Sequence, residues 1–232
     1  VPRIAILHTW TSTQNEGWCR LAFDTLRIPY SYISVHEIRD TADLKAKYDV
    51  IIFPPVGGSA QRIVNGIAMR GDPIPWKATD KYPNLTGPNG AQTDDMRGGM
   101  ELQGVMHLKR FLENGGLFVA ITGIASIPID YGLVEGLSIV EARQLQARGS
   151  VLNADIADKT SPVTYGYGDR LPLYFSSAPV FNLGTGMAGF GGMAALFGQQ
   201  TGGRETGRGG INDPDVPQAR PLFTPPKREA GE

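Results

Sequence analysis

Three groups of residues in this 232-residue chain have types and spacings that could do chemistry. The first is the loop in ILHTWTSTQNEGW, where Thr9, Thr11, Ser12 and Thr13 follow an apolar run ending in His8. Hydroxyls and backbone amides so placed could cradle a phosphate or another polar ligand. The second is AITGIAS, residues 120–126, where a strand runs into a tight turn that could lift a nucleophile into a crevice. That place is held by Thr122, or by Gly123 if the turn is counted one residue later, and Ser126 lies further on. The third is the stretch 54–95, rich in proline, glycine and aspartate around Trp76. It opens on Gly57 and Gly58, which permit close backbone approach to an anion.

Each group also has a plainer explanation. Thr13 followed by Glu16 fits a capping box, with Trp10 and Trp18 placed to pack near the helix start. Gly57 and Gly58 are equally a tight turn, and 54–95 equally a cover packed by Trp76 and Pro75. His8, His36 and His107 are far apart, none has a carboxylate at +3, and Cys19 is the single cysteine. No metal-ligand spacing results, so no metal site is expected in this chain. His8 is expected to be a satisfied histidine at a strand end, and Cys19 a small buried apolar residue. His107, beside Lys109 and Arg110, should be solvated. Asp94, Asp95 and Arg97 read as charges at a helix start, with a site shared with the long loop as the alternative.

Positioning these groups falls to buried apolar runs. Residues 3–8 and 50–53 and 117–121 read as buried parallel strands, and 30–35 as a strand nearer an edge. Between them, 16–27 is expected to be a helix with Trp18, Leu21, Ala22, Thr25 and Leu26 on one face. Residues 44–47 give a short turn, and 96–114 a long helix stopped at Gly115 and Gly116. This alternation predicts an α/β fold over 1–183: a doubly wound, mostly parallel, flavodoxin-like sheet with 54–95 as an inserted loop. Residues 150–183 read as β-rich, extending the sheet or adding a small antiparallel unit. The glycine-rich stretch 184–210 is expected to be flexible, and 211–232 a proline-braced extended tail.

Composition excludes some functions. Hydrophobic content of 41%, charged content of 19% and a net charge of −1 give no electrostatic reason to expect nucleic acid or an anionic membrane as partner. No apolar run approaches the roughly 20 residues of a membrane span. The chain opens on a strand-like segment without a signal h-region, leaving two expectations: a cytosolic protein or a piece of a longer one.

Flavodoxins hold a phosphate with a hydroxyl loop after the first strand, but the glycine that lets amides close on it is missing here. Class I glutamine amidotransferases carry a cysteine on the elbow that Thr122 or Gly123 occupies, with a histidine downstream; nothing downstream of His107 is histidine. The elbow therefore reads as chemically empty. A wider resemblance lies in the strings WTSTQNEGWCR, IPYSYISVHEIR, YDVIIFPP and PIPWKAT. TDDMRGGMELQGVMHLKRFLENGGLFVAITG, IPIDYGLVEGLSI and RQLQARGSVLNADIADKTSPVTYGY follow them in order, and DPDVPQARPLFTPP resumes the likeness near the end. Together they resemble the C-terminal, class I glutamine amidotransferase-like region of large secreted bacterial zinc carboxypeptidase-like proteins of the carboxypeptidase A type.

The resemblance implies a parent whose zinc site uses a histidine-glutamate pair and a later histidine, none of which has a counterpart here. It further implies an extracellular or periplasmic location, and as partner a peptidase domain of the same precursor or a co-purifying chain. The expectation is a non-catalytic accessory domain without a cofactor of its own. The alternatives are a small-ligand or flavin-binding domain using His8, Thr9, Thr11, Gly57, Gly58, Trp76 and Thr122, or an assembly subunit forming an oligomer.

Overall fold

The structure, a computed structural model, describes residues 1–85, 90–140, 148–176 and 179–183. All belong to the compact unit Val1–Gly186, and a second unit, Met187–Glu232, lies outside the described residues. The expected flexible stretch 184–210 and tail 211–232 therefore lie outside them too.

Four of the apolar runs pair as a parallel sheet in the order β2-β1-β3-β4: β1 Ile4–His8, β2 Ser31–Ser34, β3 Val50–Phe53 and β4 Leu117–Ala120. The alternating segment β2 is indeed an edge strand. Between the strands run α1 Gln14–Thr25, α2 Val35–Asp40, α3 Leu44–Lys47, α4 Ala60–Asn65 and α5 Glu101–Glu113, with α6 Ser126–Asp130 after β4. The chain is thus an α/β protein.

Because side chains alternate along a strand, Ala5, Leu7, Ile33, Ile51 and Phe53 share one face of the sheet. They join Ile38, Leu44, Val64, Leu108, Phe111 and Ile127 in a single buried cluster under α2 to α6. Gly104 lets α5 approach α2 closely: a Cβ there would sit 2.7 Å from the Met100 Cβ and 3.3 Å from the Arg39 nitrogen and the Ile38 Cγ2. The other face presents Ile6, His8 and Tyr32, and there α1 meets the sheet through a bond between Tyr32 and Glu16. Two antiparallel pairs follow: β5 Leu137–Val140 with β8 Val180–Leu183, and β6 Arg148–Asp155 with β7 Arg170–Ser176. The β-rich reading of 150–183 takes the form of separate units rather than an extension of the sheet.

Several local expectations are overturned. The face of α1 that carries Trp18, Leu21, Ala22, Thr25 and Leu26 lies in solvent, with Trp18 66%, Leu21 54% and Leu26 69% exposed. The residue that α1 buries is Glu16. Thr13 makes no side-chain cap, and its backbone is α-like rather than extended, so the capping box does not form. Glu16 is drawn to Tyr32 and Arg20 instead, and Trp10 packs on His8 and His36 while Trp18 is exposed. Cys19 is half-buried rather than buried. His107 is buried, its Nδ1 3.0 Å from the Ile38 carbonyl, because it lies on the inner side of α5. The long helix starts at Glu101, so Asp95 and Arg97 do not flank its first turn.

Candidate functional site

Parallel sheets gather ligands at the carboxyl ends of their strands, where loops and helix starts converge. At the end of β1 a crevice of about 340 Å³ is lined by His8, Thr9, Trp10, Thr11, Thr13, Tyr32, Trp76, Ala91 and Met96. Of the sequence-derived candidates it brings together His8, Thr9, Thr11 and Trp76.

A connected set of side chains builds its floor. The Tyr32 ring stacks on His8 at 4.1 Å between centroids and 11° between planes. Tyr32 donates its hydroxyl to Glu16 Oε1 at 2.7 Å, and Arg20 Nε donates to Glu16 Oε2 at the same distance. The Arg20 guanidinium also lies over the Tyr32 ring, 4.8 Å from its centroid. Glu16 is only 1% exposed, and its charge is matched by this ion pair and hydrogen bond. Burial, followed by the bond to Glu16, holds the Tyr32 phenol well above the usual tyrosine range.

On the other side, Trp10 meets His8 edge-on at 5.0 Å and donates its indole N–H to His36 Nδ1 at 3.2 Å. The second His36 nitrogen, Nε2, lies 3.3 Å from the Gly98 carbonyl, so the ring proton belongs on Nε2. His8 Nδ1 lies 3.1 Å from the Thr9 carbonyl, which can only accept, so Nδ1 carries the proton and Nε2 is the acceptor. Burial lowers the His8 pKa, outweighing the backbone bond that favours the charged ring.

The expected loop 54–95 contains the helix α4, and the roof comes from the segment after it. Trp76 exchanges both backbone hydrogen bonds with Thr93. Asp95 accepts from the Ile74 nitrogen and from Arg97 Nε, and Arg97 also reaches the Gly71 carbonyl. These bonds hold the Asp95 carboxyl below the ordinary carboxylate range. The Asp95–Arg97 pair is thus a clamp on the segment that carries Trp76, and neither residue lines the crevice. Asp94 pairs with Lys77 on the same loop.

The remaining candidates fall elsewhere. Gly57 borders a neighbouring hollow with Thr11, Ser12, Thr13, Gln14, Asn15, Pro55 and Val56. Gly58 has φ +122 and serves the turn into α4, where Ser59 Oγ accepts from the Arg62 nitrogen. Thr122 stands at the end of β4, exposed and apart from the crevice. Its φ of +56 is the strained backbone of an elbow, and Ser126 Oγ donates to the Gly123 carbonyl instead of engaging it. No histidine bonds to Thr122 among the described residues, and His8 and His36 are both engaged around Trp10. Among the described residues, no three of His, Cys, Asp and Glu cluster as metal ligands.

Sequence reasoning did not find Trp10, Tyr32, Glu16, His36 and Met96 as parts of this site. A signal was available for two of them. Tyr32 lies two positions from the end of the strand paired with β1, and Glu16 lies on the first turn of α1 facing it. Comparison with known protein families, with curated proteins and with solved structures yields no match to this chain.

Proposed function

We propose that this chain is a non-catalytic accessory and interaction domain of a zinc carboxypeptidase-like protein, whose zinc site lies in a separate peptidase module. The observation that carries the interaction role is the exposed apolar side of α1. Trp18, Leu21 and Leu26 crowd one helix face and stand in solvent, as expected of a surface that another polypeptide covers. The strand order β2-β1-β3-β4 with helices on both faces supports the finer reading of a flavodoxin-like, amidotransferase-like framework. The elbow supports the absence of hydrolysis: Thr122 has the strained backbone, and among the described residues no base bonds to it. The parentage rests on the ordered strings described above, and a secreted location goes with it.

The test has two parts. The purified chain should show no glutaminase and no carboxypeptidase activity, with or without added zinc. Protein isolated from its native source should carry or retain a polypeptide with a His-x-x-Glu zinc motif, and Leu21→Asp should release that polypeptide where the two are separate chains. Glutaminase activity in the isolated chain, or native protein free of any peptidase module, overturns the reading.

A further inference from the structure

The crevice at the end of β1 has a chemistry that the accessory role leaves unused. Its walls are rings: His8, Trp10, Tyr32 and Trp76. Between them stand the hydroxyl-bearing residues Thr9, Thr11 and Thr13, and among the described residues no Asp, Glu, Lys or Arg lines it. Thr9 Oγ1 is the one buried side-chain polar atom without a hydrogen-bond partner among the described residues. Leaving such a group unpaired costs about 1–3 kcal/mol, so a native site that keeps it calls for an explanation. Thr9 borders both the crevice and a cleft of about 30 Å³ behind it.

We propose that this crevice binds one uncharged sugar ring, seated against the Trp10 and Trp76 side chains and hydrogen-bonded to Thr9 and His8. Four features select this class of ligand. The described lining carries no charged side chain, so it gives a phosphate or a carboxylate nothing to pair with and an ammonium group no counter-ion. A volume of about 340 Å³ suits one ring rather than an extended cofactor. A sugar presents an apolar C–H face to an aromatic ring and a rim of hydroxyls that donate and accept at every position. That rim answers His8 Nε2, which accepts, and the Thr9 hydroxyl, closed off without a ligand, which does either once its side chain rotates toward the crevice.

The site is also held in place before any ligand arrives. Tyr32 is fixed from below by Glu16 and Arg20, Trp10 by His36, and Trp76 by its bridge to Thr93. The proposal goes beyond the accessory role and is independent of it, since the crevice lies within this chain.

Isothermal titration calorimetry on the full chain tests it, with N-acetylglucosamine and methyl glucoside as sugar probes and indole as the non-sugar ring. At least one sugar should bind saturably with a dissociation constant on the order of 1 mM, and indole more weakly. Trp76→Ala should weaken sugar binding about tenfold or more. Thr9→Val, which keeps the shape and removes the hydroxyl, should weaken it about 3- to 10-fold while leaving the melting temperature unchanged or higher. Trp18→Phe, away from the crevice, should change nothing. Absence of saturable sugar binding, binding of indole in preference to both sugars, or full affinity in Thr9→Val would each overturn the proposal. The last result would mean that water alone serves the Thr9 hydroxyl.

Discussion

The two faces of the parallel sheet are made from alternate residues of the same strands, yet they differ in how far they are covered. On one, Ala5, Leu7, Ile51 and Phe53 are fully buried beneath a layer that includes α2, α4 and α5. On the other, Ile6 and His8 are buried, Ile52 and Val119 are half-buried, and Leu117 is exposed. The helix that belongs to this second face, α1, turns a carboxylate inward and its large apolar residues outward. The covered face is where stability resides. The open face has traded part of its burial for a charged anchor, an aromatic crevice and an exposed apolar helix side.

The contrast can be broken most sharply on the covered face. Phe111→Ala should cost about 3–5 kcal/mol by urea unfolding, since the residue is 1% exposed in the core cluster and the lost ring leaves a cavity there. A loss under 1 kcal/mol would show that this face is looser than described. Gly104→Ala should cost about 1–3 kcal/mol by the same measurement, because the new methyl meets Met100 and the backbone of α2.

On the open face the effect is smaller and depends on pH. His8 has a folded pKa below its unfolded value near 6.5. Above that pH both states hold the neutral ring. As pH falls through 6.5 the unfolded state takes up the proton first, so stability declines toward the lower folded pKa. Glu16, Arg20 and His36 are the charged and titratable groups that act on it, with desolvation the largest influence. Thermal melts of wild type and His8→Phe between pH 8 and 5 should therefore diverge at the acid end, the variant lacking this slope; parallel curves would remove His8 as its source. Smallest of all, Leu21→Ser should change stability by less than about 0.5 kcal/mol, even though leucine normally anchors a core. A loss above 1 kcal/mol would mean that α1's outer side packs within this chain.

Much of the covered face was legible in the amino-acid order. The strands at 50–53 and 117–121 are short apolar runs closed by turn signals, and α5 repeats apolar residues at helical spacing up to Gly115 and Gly116. The open face was not legible, because periodicity says that a helix has an apolar side and not whether anything covers it. Thr13 and Glu16 have the spacing of a capping box, but a buried Glu16 gains more from Arg20 and Tyr32 than from a backbone amide, and a local motif cannot register that competition. His107 misled in the same way: its basic neighbours point to solvent while it sits on the inner side of the helix.

For the site, local order was enough to mark the loop 9–13, the glycines 57 and 58, Trp76 and the elbow at Thr122, because hydroxyls, glycines and strand-end turns announce themselves within a few residues. Which of these meet was decided only by the tertiary fold. Parallel pairing of β1 with β2 sets Tyr32 against His8, and the clamp of Asp95 on Arg97 fixes the loop that carries Trp76, while Thr122 is left two strands away. The physical reason is reach. Side-chain type and backbone propensity act over one or two turns, whereas the register of a parallel sheet and the closure of the segment between α4 and α5 are settled by burial shared among distant segments.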